Sequence, residues 1–517
     1  MASRRISVGL IVAFGTLGLV PACQFDRPGD VKPVDAATVG FSVEPVAAAW
    51  VRVGEGVDVV VRVVRESGFE APIVLDLGSA PEGVTADPAT IPAGAVEGQI
   101  RVSVAQGAGT PGSALDVQVR GDGGQGVQEA SLVLRLKGGF GELDESFGVL
   151  GVAASTSALF GGALHVGGRY LVAAGGQILA FDDSGAPDRS FGIDGVLSPP
   201  TTGLDLSTPP QAFLVSAPAG RFKVLLAGDQ EPSASITKLG GTVMQFASDG
   251  VQDPAFQARS FGLPGSFAVH IVAADESGAI YAAGDHDAGT GTEAALVRLL
   301  PSGGRDTGFG SQGYLHWSGA LITALQSSGA RIVVSVNDGA SAKLYAVTAL
   351  GVADATFGGG GTVALDELIG QAGCQLLTLH VSSAPSGGIW VGGTTCLTTT
   401  PKGVLLRLSD SGSLDAGFSG DGLWLGIADE LGGVYGVAAL PDGTFTVVGA
   451  PRAQFSSTSV YHLRPDGTFI LDVGPNGVLE FPLATGGLVT LTAEPDRPYL
   501  LMAGSLANSA AVARAWY

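Results

Sequence analysis

The chain is poor in cysteine, in basic residues and in long apolar runs. Three Cys among 517 residues leave room for a single disulfide, and no pair has the Cys-x-x-Cys spacing of a redox or zinc site. Lys and Arg total 27 against 48 Asp and Glu, a net charge of -21. So acidic a surface repels phosphate backbones, which excludes nucleic acid as an expected partner. Beyond residue 20 no segment is long and apolar enough to span a bilayer as a helix. The sequence has no His-Glu-x-x-His, Gly-x-Ser-x-Gly or Walker-type loop, and no glycine fingerprint of a dinucleotide fold. No catalytic residue, metal or cofactor is therefore expected.

Glycine and short apolar runs are what the chain has instead. Its 81 Gly, set among 45% apolar residues, describe tight turns between short strands rather than a disordered polymer. The fold class expected is all-β.

Residues 1–22 read as an export signal, with Arg4 and Arg5 ahead of the apolar stretch Ile6 to Val20. The ending Val20-Pro21-Ala22-Cys23 resembles a bacterial lipoprotein signal, with Pro21 a less usual residue at its position. That resemblance implies a lipidated Cys23 and a membrane anchor, and Gln24 resembles lipoproteins sent to the outer membrane. An ordinary secretory peptide with an incidental Cys is the alternative. Residues 23–37 carry Pro and Asp and few large apolar side chains, so they read as a tether.

From 38 to 138 the apolar period is close to two. Val57 to Val64, Ile73 to Leu77, Ile100 to Val104, Leu115 to Val119 and Leu132 to Leu136 are strand-like and separated by turn residues. Strands at this spacing suggest an antiparallel β-sandwich. The segment Pro81-Glu-Gly-Val-Thr85 resembles that of immunoglobulin-like modules in bacterial surface proteins, which implies a spacer or adhesive unit.

From 139 to 517 one phrase recurs, a turn followed by Asp, Phe and glycines. It pairs Asp144 with Phe147, Asp188 with Phe191, Asp253 with Phe256, Asp306 with Phe309, Asp354 with Phe357 and Asp415 with Phe418. An eroded copy near Gly467 has Ile470 for Asp. Copies lie roughly 45–65 residues apart, a spacing of propeller blades or solenoid turns. Between markers the sequence offers four short strands, one after the marker and three leading to the next. Seven such sets fit a closed seven-bladed β-propeller, which buries the faces of each blade against its neighbours.

Segments 141–151, 185–195 and 412–422 follow Gly-x-Leu-Asp-x-x-Phe-Gly-x-x-Gly most closely, and this phrase after an Arg-Leu strand resembles the delta-60 repeat. Gln252 to Phe256 lacks the glycines after Phe. The resemblance implies a bacterial cell-surface β-propeller and brings no active site with it. At the marker, Asp is expected to accept backbone N–H groups around the turn and Phe to wedge between blades. Calcium is the rival reading, since Asp183/Asp188, Asp249/Asp253 and Asp410/Asp415 each place two carboxylates about one turn.

Cys374 and Cys396 flank one hairpin with Pro385 midway. Opposed strand residues lie about 4.5–5.5 Å apart, within reach of a disulfide, and a free redox pair is the alternative. The histidines His165, His270 and His380 fall at different registers and imply no metal ring. Trp317, Trp390, Trp424 and Trp516 lie in strand-like runs, where packing is the expected role rather than stacking on sugars. The function expected is that of an exported, lipid-anchored monomer at the outer membrane or cell surface. Its propeller would be a non-catalytic binding or scaffolding module for a protein or polysaccharide. An exported propeller enzyme acting on glycans and a purely architectural envelope component are the alternatives.

Overall fold

The computed structural model describes residues 40–155, 160–201, 210–227, 240–287, 289, 291–328, 331–370, 376–384, 387–395, 401–425, 431–451, 458–471, 478–481, 486–494, 497–506 and 509–517. The expected signal, tether and lipidation site at Cys23 lie outside these residues, as do Cys374 and Cys396. The fold is all-β, with one short helix among the described residues, Leu365–Ile369, capped at its carboxyl end by Gly370 in the left-handed region.

Alternating apolar residues build the first unit. In Gly56–Arg65, Val59, Val61 and Val63 point inward while their neighbours face solvent, the period-two signature of a half-buried strand. This strand pairs with Phe41–Val43 on one side and Glu97–Val104 on the other, and Val84–Asp87 completes a four-stranded sheet. A five-stranded sheet runs in the order Ala49–Arg52, Val127–Lys137, Ala114–Asp122, Ile73–Ser79, Ala89–Ile91. Its first pair is parallel and the others antiparallel. One core, including Val61, Ile73, Ile100 and Leu134, fills the space between the two sheets.

Seven four-stranded antiparallel sheets follow, each apolar on both faces. Sheet 1 is Phe160–Val166, Arg169–Ala174, Gln177–Phe181 and Val196–Leu197, and sheet 2 is Gln211–Ala217, Arg221–Ala227, Gly241–Phe246 and Arg259–Phe261. Sheet 3 is Ser266–Ala274, Ile280–Asp287, Thr292–Leu299 and Tyr314–Ser318. Sheet 4 is Leu321–Ser328, Arg331–Asn337, Ala342–Thr348 and Thr362–Ala364. Sheet 5 is Leu376–Ser383, Ile389–Thr395, Lys402–Leu408 and Leu423–Leu425. Sheet 6 is Leu431–Ala439, Phe445–Pro451, Thr458–Leu463 and Val478–Phe481. Sheet 7 takes Gly486–Ala493, Tyr499–Leu506 and Ser509–Trp516 from the last part of the sequence, and its fourth strand, Val152–Ala154, from the segment that precedes sheet 1.

The frame is therefore displaced from the one the markers suggest. Three strands precede each marker, and the short strand after it joins the sheet those three have begun. The first such strand has no predecessors in the chain and pairs instead with Ser509–Trp516, Ala153 opposite Val512. Each sheet contacts the next in sequence, and sheet 7 contacts sheet 1. The first unit abuts the closing sheet, where Trp50 packs against Tyr499 and Trp516, and Lys137 donates to the Tyr517 carbonyl at 2.9 Å.

Candidate functional site at the closing junction

Every marker carboxylate is held in the same way. One oxygen accepts the backbone N–H two residues on: Ser146, Ser190, Ala255, Gly308, Thr356 and Gly417 donate to Asp144, Asp188, Asp253, Asp306, Asp354 and Asp415 at 2.9–3.1 Å. The other oxygen meets an arginine, which the sequence expectation did not include. Arg514 Nε donates to Asp144 at 2.8 Å, Arg169 to Asp188, and Arg221 pairs with Asp253 at 2.9 Å. Arg298 meets Asp306 at 2.5 Å, Arg331 meets Asp354 at 2.7 Å and Arg407 meets Asp415 at 2.8 Å.

The arginine comes from one of two places. The marker N–H donates to the carbonyl of an equivalent third-strand residue: Arg514, Ala180, Gln245, Arg298, Ala346 and Arg407 for the six Asp copies. Where that residue is Arg, it supplies the clamp. Where it is Ala180, Gln245 or Ala346, an arginine at the start of the second strand does so (Arg169, Arg221, Arg331). In the eroded copy Ile470 donates to the His462 carbonyl, so the backbone bond survives the loss of the carboxylate.

The clamp also crosses to the next sheet. Arg514 and Arg331 reach the carbonyls of Asp183 and Asp410 at 2.8 and 2.6 Å. At the equivalent place in sheet 2, the buried Lys223 donates to the Pro301 carbonyl at 2.9 Å and to Gly278 at 2.6 Å. Phe147, Phe191, Phe309, Phe357 and Phe418 are fully buried and Phe256 nearly so. The residue after Phe bonds the neighbouring turn, as Gly148 does to the Ser184 carbonyl at 2.6 Å. Gly185 in that turn is forced: its φ is +74°, and a Cβ there would lie 2.3 Å from the Gly148 nitrogen.

The carboxylates weighed for calcium are otherwise engaged. Asp183 pairs with Arg497, Asp249 caps Val251 and Asp410 accepts from Gly388. Among the described residues, no group of three or more His, Cys, Asp or Glu is placed to hold a metal. His165 lies in the junction described below, whereas His270 faces Asp285 at 3.0 Å and His380 contacts Ser382. Trp390, Trp424 and Trp516 are buried; Trp317 is half-buried against Tyr345.

One junction differs. Between sheets 1 and 2, 2 and 3, and so on to 6 and 7, the leading strands pack directly on each other. At the closing junction Phe160–Val166 instead makes its main contacts with Tyr499–Leu506 and Ser509–Trp516. Between it and Gly486–Ala493 lies a cavity of about 510 Å³. Leu164, Leu501 and Val512 supply apolar wall, and His165, Tyr170, Thr490, Thr492, Glu494 and Arg497 supply the polar groups.

These polar groups form a connected set. Tyr170 donates to Glu494 at 2.9 Å and accepts from Arg514 at 3.2 Å. Arg497 holds Asp183 with two nitrogens at 2.8 and 3.1 Å and turns its Nε to Glu494 at 4.0 Å. His165 stacks on Tyr170, ring centroids 4.7 Å apart, with Nδ1 3.9 Å from Glu494. Burial, and then the neighbouring Glu494 charge, push the Tyr170 hydroxyl above its ordinary range. Burial opposes ionisation of Asp183, yet the hydrogen bonds and charge of Arg497 hold it below the usual carboxylate range. Sequence reasoning missed Glu494, Arg497 and Tyr170 because they belong to no repeat phrase and meet only when the last sheet reaches the first. No family model and no curated protein matches this chain.

Proposed function

We propose that the chain is an exported, lipid-anchored surface protein of the delta-60 repeat type. In this reading residues 1–22 are its signal, Cys23 its lipidation site, 23–37 a tether, 38–138 an immunoglobulin-like sandwich and 139–517 a seven-bladed β-propeller. The propeller acts as a non-catalytic binding module for a protein or polysaccharide, with Cys374 and Cys396 joined in the fifth blade. Seven meander sheets in sequential contact, with a fourth strand borrowed across the ends, support the architecture.

The observation that carries the binding function is the cavity where the circuit closes, in which Arg497 is held by Asp183 and Glu494 by the Tyr170 hydroxyl. Side chains held by fixed hydrogen bonds make rigid walls, which suits holding a ligand more than moving protons. The Tyr170–Glu494 contact has the geometry of a phenol next to a base and favours the enzyme reading. The raised Tyr170 hydroxyl weighs against it, because a nucleophilic phenol needs its proton removed easily.

Affinity capture from envelope extract with the mature chain separates the two. Reversible recovery of an unaltered protein or polysaccharide is expected, and cleavage of the captured material would contradict the binding role.

A further inference from the structure

The closing junction carries more than a space. Glu494 is 4% exposed, yet the contact closest to its carboxylate is the Tyr170 hydroxyl, with His165 and Arg497 at 3.9 and 4.0 Å. A carboxylate has about four lone-pair positions, so a buried one with a single close donor among the described residues can accept more. The donors it lacks can come from a molecule in the cavity it lines.

Charge narrows the class of that molecule. Arg497, 4.0 Å from the carboxylate, is itself paired with Asp183, and Arg514, paired with Asp144, reaches it only through Tyr170, so the arginines bring their own counter-charges while Glu494 disfavours an anion. A donor of hydrogen bonds without negative charge fits, and a neutral one costs least to take out of water. Thr490 and Thr492, on the strand that ends just before Glu494, line the same cavity at alternate positions, and the Thr490 hydroxyl, which donates to the Ala503 carbonyl, keeps its lone pairs. Opposite them, the His165 ring lies stacked on Tyr170 and offers a flat face beside Leu164. A ligand with hydroxyls along one edge and a C–H face on the other matches both walls.

We propose that the closing junction binds a single neutral saccharide ring, its hydroxyls donating to Glu494 and its C–H face resting on His165. This deepens the binding role above and rests on it. The volume of about 510 Å³ lies within the range of ligand pockets and leaves room for the ring to be the end of a longer chain.

Isothermal titration calorimetry on the mature chain tests this with glucose, N-acetylglucosamine, glucosamine and glucuronate as probes. A neutral sugar should bind saturably at one site, with glucosamine and glucuronate weaker by roughly tenfold or more. Glu494→Gln should weaken the neutral sugar by at least about tenfold. Ala163→Phe, which puts a ring into the cavity, should abolish binding while thermal unfolding stays cooperative.

No saturable heat from either neutral sugar up to about 10 mM would overturn the proposal, as would binding indifferent to both substitutions. Preferred binding of glucosamine would overturn it in favour of a cation site. If envelope capture still succeeds with both variants, the binding role stands and only the junction assignment falls.

Discussion

Asp354 illustrates what a marker carboxylate contributes. The Thr356 hydroxyl, then Arg331, hold its carboxyl down to about 2, while its ordinary value in an unfolded chain is about 3.9. The folded value is the lower one, so the stabilisation is complete above roughly pH 4 and is lost as the pH falls towards 2. Thermal unfolding followed between pH 5 and 2 should show this decline, and Arg331→Ala should move the Asp354 midpoint, read by carboxyl NMR, upward. An unshifted midpoint in Arg331→Ala would show that Thr356 alone holds the charge. At the same scale, Gly185→Ala forces a positive φ and a close backbone contact, and should cost about 1–3 kcal/mol in urea unfolding.

At the scale of the element, the clamp is one cation position that two strands can fill. In sheet 1 the arginine stands on the second strand, at Arg169, and Ala180 occupies the third-strand position that is Arg298 in sheet 3. Arg169→Ala should destabilise by about 1–3 kcal/mol, because it leaves Asp188 without its charged partner. Adding Ala180→Arg to that variant should recover part of the loss, and failure to recover any would show the two positions inequivalent. Phe357, fully buried beneath Arg331, should cost about 3–5 kcal/mol as Phe357→Ala.

Much at this scale could be read in the chain. Asp and Phe at fixed spacing located the turns, and β-branched runs such as Ile332 to Val336 located the strands. The arginines were hidden because half of them stand between 19 and 32 residues before their Asp, across a hairpin, where no fixed spacing announces them. Arg169 and Asp188 become neighbours only once Arg169–Ala174 and Gln177–Phe181 have paired. The borrowed strand was hidden for a similar reason, since Val152–Ala154 is three residues long and its partner is the last strand of the chain.

For the whole molecule, closure ties the first marker to the last strand. Arg514 joins Asp144, the Asp183 carbonyl and Tyr170, so one side chain spans sheets 7 and 1. It also lies over the rings of Phe147 and Tyr499, at 4.5 and 4.3 Å. The cavity lies at the junction of two sheets that are not consecutive in the sequence. Its walls come from residues about 325 positions apart, Tyr170 and Glu494 (324), and no local pattern could have brought them to notice.

The seven-sheet circuit depends on Val152–Ala154 completing the sheet of Ser509–Trp516. Ala153 and Val512 are opposed and buried, at a separation a disulfide can bridge. The most direct measurement is therefore mass spectrometry of oxidised, proteolysed Ala153→Cys/Val512→Cys protein taken from the monomer fraction. A peptide linking positions 153 and 512 within one chain is the predicted result. A link found only between two chains, or none under oxidising conditions, would contradict closure.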